Sequence, residues 1–295
     1  MDSVSTLRRR IGNLDDLRLV VKTMKAMAGA GMHEFEQTRQ ALEAYSSTVV
    51  GALSVALKTA GGMPMPAPPR TTGTGVIVIG TDLGMVGQFN DYLVQQLQAA
   101  GTTLKPATAV WVVGERAAEA LRQSGHAIAA VYPAPQSASA IAPLVSRLLA
   151  DIDSERGANA TVAVTMVFNK VTSGAEVAPA QLRLLPASGS WREDARRCAW
   201  PPASQPEMLH LDAGTLNTLV AEYVFIRLYE AVVQSCLAEN TARLAAMQRA
   251  GKNIDDRGRD LTLSFNRLRQ GTIDAELFDL IGGFAALSDV QVRAD

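Results

Sequence analysis

Apolar and small residues recur along the first sixty positions at Leu14, Leu17, Val21, Met24, Ala28, Gly31, Phe35, Thr38, Leu42, Tyr45, Val49 and Ala52. Their steps alternate between three and four residues, the spacing of a helix lying along another helix. No proline interrupts residues 1–60, so one long helix is predicted there, with Asp2 or Ser3 placed to cap it. Gly29 and Gly31 each cost about 1 kcal/mol against alanine in a helix interior. Their presence predicts a close backbone approach to a partner helix. Gly61-Gly62 ends the pattern, and Pro64, Pro66, Pro68 and Pro69 predict a stiff linker over 61–71.

The same alternation returns at Leu216, Leu219, Tyr223, Ile226, Glu230, Val233, Leu237, Asn240, Leu244 and Met247. It predicts a second long helix over 205–290, in which the polar Glu230 and Asn240 fix register. At about 1.5 Å per residue the first helix reaches roughly 85 Å and the patterned stretch from Leu216 to Leu287 roughly 110 Å, lengths that suit a coiled coil. Between them the period changes. Gly75–Gly80, Ala109–Val113 and Thr161–Phe168 read as buried strands, with helices following at Phe89–Ala99, Glu115–Gln123 and Ala138–Ile152. Strands alternating with helices predict a parallel, Rossmann-like sheet over 72–200. The predicted fold is therefore α/β: a long antiparallel two-helix coiled coil with an inserted Rossmann-like domain.

That topology has a geometric consequence. If the helices pair with Lys58 level with Asp212, Ser3 lies level with about Asn266. Residues from Arg267 to Leu287 then have no partner helix, although they carry Ile273, Leu277, Phe278, Leu280, Ile281, Phe284 and Leu287. Something else must enclose so much apolar surface.

Composition narrows the chemistry. Of 295 residues, 47% are hydrophobic and 19% charged, which excludes a disordered chain. The 28 basic and 29 acidic side chains argue against a nucleic-acid coat. Cys198 and Cys236 are too few for a disulfide framework, and His33, His126 and His210 are too scattered for a metal motif, so an intracellular chain is expected. No apolar run spans a bilayer, so any membrane role is expected to come through a partner.

The turn Gly80-Thr81-Asp82-Leu83-Gly84-Met85-Val86-Gly87 follows the first strand but lacks G-x-G-x-x-G spacing. Glu115 is the one acidic residue available to a ribose, and the glycines are expected to serve packing instead. No cofactor is expected. Nor is a catalytic constellation expected: Asp151, Asp153 and Glu155 read as a solvated helix face, and Asp255, Asp256, Arg257, Arg259 and Asp260 as surface ion pairs. Charge is more informative. Residues 8–25 carry six basic against two acidic side chains, and residues 243–269 seven against three. The antiparallel register sets these segments side by side as a basic collar suited to an acidic partner surface.

Several motifs resemble those of the gamma subunit of F-type ATP synthases. Leu7-Arg8-Arg9-Arg10-Ile11 with Val21-Lys22-Thr23-Met24-Lys25-Ala26-Met27-Ala28 is similar to the family's first-helix pattern. Thr81 to Asn90 resembles a degraded S-D-R-G-L-C-G-G-L-N. Ala238-Glu239-Asn240-Thr241-Ala242-Arg243-Leu244-Ala245-Ala246-Met247 matches S-E-x-x-A-R-M-x-A-M. Asn266 to Ile273, with Glu276-Leu277 and Ile281-Gly282-Gly283, matches the family's last motif. Leu83, Gln88, Lys252 and Asp274 depart from the pattern, a drift resembling the divergent sodium-type N-ATPase branch.

The resemblance implies a non-catalytic rotor that couples proton or sodium transport to ATP synthesis or hydrolysis. Its shaft would stand inside an alpha/beta hexamer. Its sheet domain would rest against the epsilon subunit and the membrane c-ring, at the cytoplasmic face of a bacterial inner membrane. Lys22, Met24, Arg243, Arg269, Gln270, Glu276, Leu277 and Ile281 are the implied contacts with the hexamer. Read without the resemblance, the residues also admit a Rossmann-type nucleotide-binding enzyme with helical oligomerisation arms, or an unrelated coiled-coil adaptor.

Overall fold

The computed structural model describes residues 3–59, 71–99, 109–156, 161–172, 176–185, 190–198, 200, 206 and 212–292. Most of the proline-rich stretch (61–70) and His210 lie outside them. The elements run α1 (Val4–Thr59), β1 (Thr71–Ile79), α2 (Phe89–Ala99), β2 (Ala109–Val113), α3 (Glu115–Gln123) and β3 (Ala130–Tyr132). A 3-10 turn (Ala138–Ala140) then leads into α4 (Ile141–Arg156), β4 (Thr161–Val171), β5 (Val177–Leu185), α5 (Ser190–Arg197) and α6 (Ala213–Val292). Two compact units result: Met1–Ala26 with Ala245–Asp295, and Met27–Leu244.

Both long helices start on capped ends. The Thr6 amide donates to Ser3 Oγ at 3.2 Å, and the Thr215 amide to Asp212 Oδ1 at 2.6 Å. Each satisfies a first-turn donor that the helix itself leaves open.

In the larger unit the sheet order is β3-β2-β1-β4-β5. The first four strands are parallel, with Ile77 opposite both Trp111 and Met166. The edge strand β5 runs antiparallel to β4, so the sheet is mixed rather than wholly parallel. Because side chains alternate across a strand, β1 feeds two cores. Ile77 and Ile79 pack with Phe35 and Leu53 of α1, Val145 and Leu148 of α4, and Leu228 and Val232 of α6. Val76 and Val78 pack with Leu93 of α2, Leu121 of α3 and Ala238 of α6. The sheet is thus covered on both faces, which explains why its central strands read as unbroken apolar runs.

The helix pair in this unit is keyed by small against polar. A Cβ at Gly31 would stand 2.8 Å from Asn240 Oδ1, and Asn240 Nδ2 is tied to the Cys236 carbonyl at 2.9 Å. Gly31 is therefore the close approach expected of it, and Asn240 the polar seam residue. Gly29 is not: nothing lies within 4 Å of a Cβ placed there. Further along, Tyr45 Oη donates to Glu222 at 2.7 Å. In the smaller unit, Val21 lies 3.7 Å from a Cβ at Gly251, and Arg18 bonds Asp255. Leu17 proves half exposed instead of lying in the seam, where Arg18 crosses to α6.

Gly31→Val should lower stability by about 1–3 kcal/mol through overpacking, and Asn240→Ala in the same chain should return part of that loss. Urea midpoints of the wild type, both single variants and the double variant check this. Equal midpoints for wild type and Gly31→Val would exclude the contact.

Candidate interaction surface

The smaller unit carries the charged and apolar surfaces that the sequence singles out. Arg18 reaches Asp15 at 2.7 Å and Asp255 at 2.9 Å, and Arg259 reaches Asp256 at 2.6 Å. These pairs are solvent-exposed and hold little energy. Lys22 and Lys25 are exposed, Met24 is half-buried, and Arg269, Gln270 and Glu276 are exposed. The smaller unit therefore brings Lys22 on α1 and Arg269, Gln270, Glu276, Leu277 and Ile281 on α6 to the surface of one body.

From Asn266 to Ile281 every residue is exposed. Ile273, Leu277, Phe278, Leu280 and Ile281 stand between 46% and 72% exposed. This is the apolar stretch predicted to lack a partner; the side chains of Phe284 and Leu287 lie outside the described residues. Leu17, Leu19 and Val20 on α1 are also more than half exposed in this unit. Leu17 falls on the three-four spacing whereas Leu19 and Val20 fall off it, because that spacing follows only one face of the helix.

Arg243, by contrast, lies inside the larger unit. Its side chain is 13% exposed, and one guanidinium nitrogen donates to Glu239 Oε1 at 2.5 Å. Its Nε, buried, meets no partner among the described residues. Burial holds the Glu239 carboxyl above the usual carboxylate range; Arg243 opposes that rise and the charge of Asp82 adds to it.

Asp82 belongs to the turn after β1, which is consumed by internal contacts. Its two carboxylate oxygens accept from the Glu115 and Ala134 amides, both at 3.0 Å. The Thr81 carbonyl accepts from the Arg116 and Ala117 amides. The opening donors of α3 thus all end on protein acceptors, where a phosphate would need them free. Glu115, the candidate ribose ligand, pairs with Arg122 at 3.2 Å instead. Asn90 holds Thr81 from below, through Nδ2 to the Thr81 hydroxyl at 3.0 Å. Gly114, at φ 101°, presses on the Thr81 backbone where a Cβ would stand 2.6 Å away, so only glycine fits. On this fixed turn Leu83 and Met85 are exposed, with Met85 in the left-handed region at φ 63°.

Asp151 is not the solvated residue that the sequence suggests. It is half-buried and accepts from the hydroxyl of buried Tyr132. Arg147 lies 5.6 Å over the same ring. Burial, followed by the Asp151 contact, pushes the Tyr132 hydroxyl far up. Among the described residues no helix is long and apolar enough to cross a membrane, and no group of His, Cys, Asp and Glu could hold a metal.

A family model described as ATP synthase matches residues 3–287. The ATP synthase gamma chain of Nitratidesulfovibrio vulgaris (strain Miyazaki F) is 27% identical, with 97% of this chain and 99% of that relative covered. That of Pelotomaculum thermopropionicum is 28% identical, with 97% and 100% covered. Among solved structures, a chain of the Euglena gracilis mitochondrial ATP synthase (OSCP/F1/c-ring, rotational state 3) superposes with a TM-score of 0.65 at 16% identity. The match covers 96% of this chain and 94% of that one. At that identity the likeness is one of fold.

The buried ion pair supplies a test independent of these likenesses. Arg243→Met should cost about 3–5 kcal/mol, because it leaves Glu239 buried without a counter-charge. The folded carboxyl titrates above its unfolded value, so the folded state holds the proton longer. The destabilisation should therefore be small below the ordinary carboxylate pKa and grow as pH rises through and beyond it. Adding Glu239→Gln should remove most of the pH dependence. Urea unfolding of both variants across pH checks this, and a pH-independent loss in Arg243→Met would contradict it.

Proposed function

Because the chain belongs to the ATP synthase gamma family, we infer that it is the non-catalytic central-stalk subunit of a rotary ATP synthase, with ATP chemistry carried out on other subunits. The observation that carries this reading is the exposed apolar end of α6. Five large side chains over nine residues, with none of the sixteen residues from Asn266 to Ile281 covered by the chain itself, call for an apolar sleeve. A hexamer of alternating alpha and beta subunits supplies such a bore. Apolar contact is non-directional, so a helix in that bore can turn without a deep minimum at any one angle.

Lys22, Met24, Arg269, Gln270, Glu276, Leu277 and Ile281 are the contacts we propose with the hexamer. Arg269 and Gln270 offer polar contact to beta-subunit loops just below the apolar tip. The basic residues around Lys22 and Lys25 suit an acidic segment of the same subunits. An asymmetric stalk favours different conformations in chemically identical sites, which couples its angle to nucleotide affinity. The sheet unit is proposed to stand on the epsilon subunit and the c-ring. The chain would then be peripheral to the cytoplasmic face of a bacterial inner membrane, and proton or sodium transport would drive the rotor. Arg243, buried and paired with Glu239 on the same helix, serves this design from within the larger unit. Leu83, exposed where the family carries arginine, supports a place on the divergent sodium-type branch.

Leu277→Asp should block insertion of the tip. An unpaired carboxylate in an apolar bore costs at least about 2 kcal/mol, more than tenfold in assembly. Co-purification of alpha and beta subunits with tagged chain measures this, and normal recovery would exclude the sleeve. Arg269→Ala with Gln270→Ala should leave assembly intact and lower ATP turnover of the complex about ten- to hundredfold. Unchanged turnover would remove both residues from the mechanism.

A further inference from the structure

We propose that Gly271–Thr272 is a bending joint built into α6, at the step where the helix passes from paired to single. Three observations in the smaller unit carry it. The register set by Val21 on Gly251 and Arg18 on Asp255 brings the start of α1 level with Leu268 and Arg269. The joint therefore lies immediately past the last residue that α1 can support. Gly271 has nothing within 4 Å of a Cβ placed on it. Within the described residues no close approach explains a glycine here, unlike Gly31, and it weakens the helix about fivefold against alanine in an exposed interior. Thr272, the next residue, returns its hydroxyl to the Leu268 carbonyl at 3.0 Å. A threonine bonded back in this way competes for the carbonyl that the helix itself uses, and it favours a bend. A glycine beside such a hydroxyl is a recognised cause of helix bending.

Gly12 is equally open, but it sits where α1 and α6 run side by side and the second helix holds the axis. Among the described residues, only at Gly271 do a weak backbone, a back-bonded hydroxyl and a missing partner coincide. The joint lets the apolar tip keep one axis while the paired stretch below takes another. A stalk whose tip is gripped by a sleeve and whose body is pushed sideways needs that freedom. Its use rests on the stalk reading, but its existence does not.

The test uses the free full-length chain, without other subunits, so its outcome is separate from whether alpha and beta subunits are recovered. Spin labels on Ser264→Cys and Leu280→Cys, in a Cys198→Ser background, span the joint at about 24 Å. Pulsed dipolar spectroscopy then reads the spread of distances. The wild-type sequence at 271–272 should give a broad distribution. Gly271→Ala with Thr272→Ala should narrow it, raising the helical population at the joint about fivefold. Gly12→Ala should leave the spread unchanged. Equal widths with and without the 271–272 substitutions, or equal narrowing by Gly12→Ala, would overturn the joint.

Discussion

The length difference between the two long helices governs the rest of this molecule. α1 has 56 residues and α6 has 80. A lone helix in water cannot bury its own apolar stripe, so the surplus end of α6 exposes Ile273, Leu277, Phe278, Leu280 and Ile281. Fully burying side chains of this size gains roughly 1.5–3 kcal/mol each. Five together reach the order of 10 kcal/mol, as much as the net stability of an ordinary domain. Burial of that surface against another molecule, as proposed for the stalk, would realise this energy. An apolar contact of that kind would hold the helix without fixing its angle.

The larger unit shows how such a helix is anchored. α6 meets both faces of the sheet system: Leu228 and Val232 join the cluster around Ile77 and Ile79, while Ala238 joins the one around Val76 and Val78. Between them the Ser235 hydroxyl donates to the Ile79 carbonyl at the end of β1, at 3.0 Å. Glu239 and Arg243 follow one and two turns later. Apolar packing supplies most of the energy there, and the polar contacts fix which residues meet. Among the described residues at the exposed end of α6, no polar contact keys the helix to another element. Fixed attachment in one unit and bare apolar surface in the other is the division of labour a stalk requires.

Much of this was legible in the sequence, because strong periodicity and punctuation survive folding. α2 and α3 begin and end where the pattern places them, and the antiparallel register inferred from helix lengths agrees with the Gly31–Asn240 and Arg18–Asp255 contacts. What was hidden is short or non-local. β3 has three residues, too few for any period to show, and Pro179 within β5 conceals an edge strand that needs β4 to exist. Asp151 read as solvated because its partner Tyr132 lies nineteen residues away across a strand-to-helix connection. Leu17 fitted the three-four spacing, yet Arg18 makes the contact with α6, since spacing alone does not separate the centre of a seam from its flank. Among the expected contacts, exposure at Leu277, Ile281, Arg269 and Gln270 follows from helix lengths. The burial of Arg243 comes from tertiary packing in the larger unit, which no helical pattern contains.

The claim that another molecule encloses the end of α6 is tested most directly by a photo-crosslinking side chain in place of Phe278, the most exposed large hydrophobic residue among those described. The chain would be irradiated in the assembled complex and its adducts identified by mass spectrometry. The account predicts adducts to alpha and beta subunits, and none within the chain itself. Adducts confined to this chain's own helices, showing the end folded back on its own body, would contradict it.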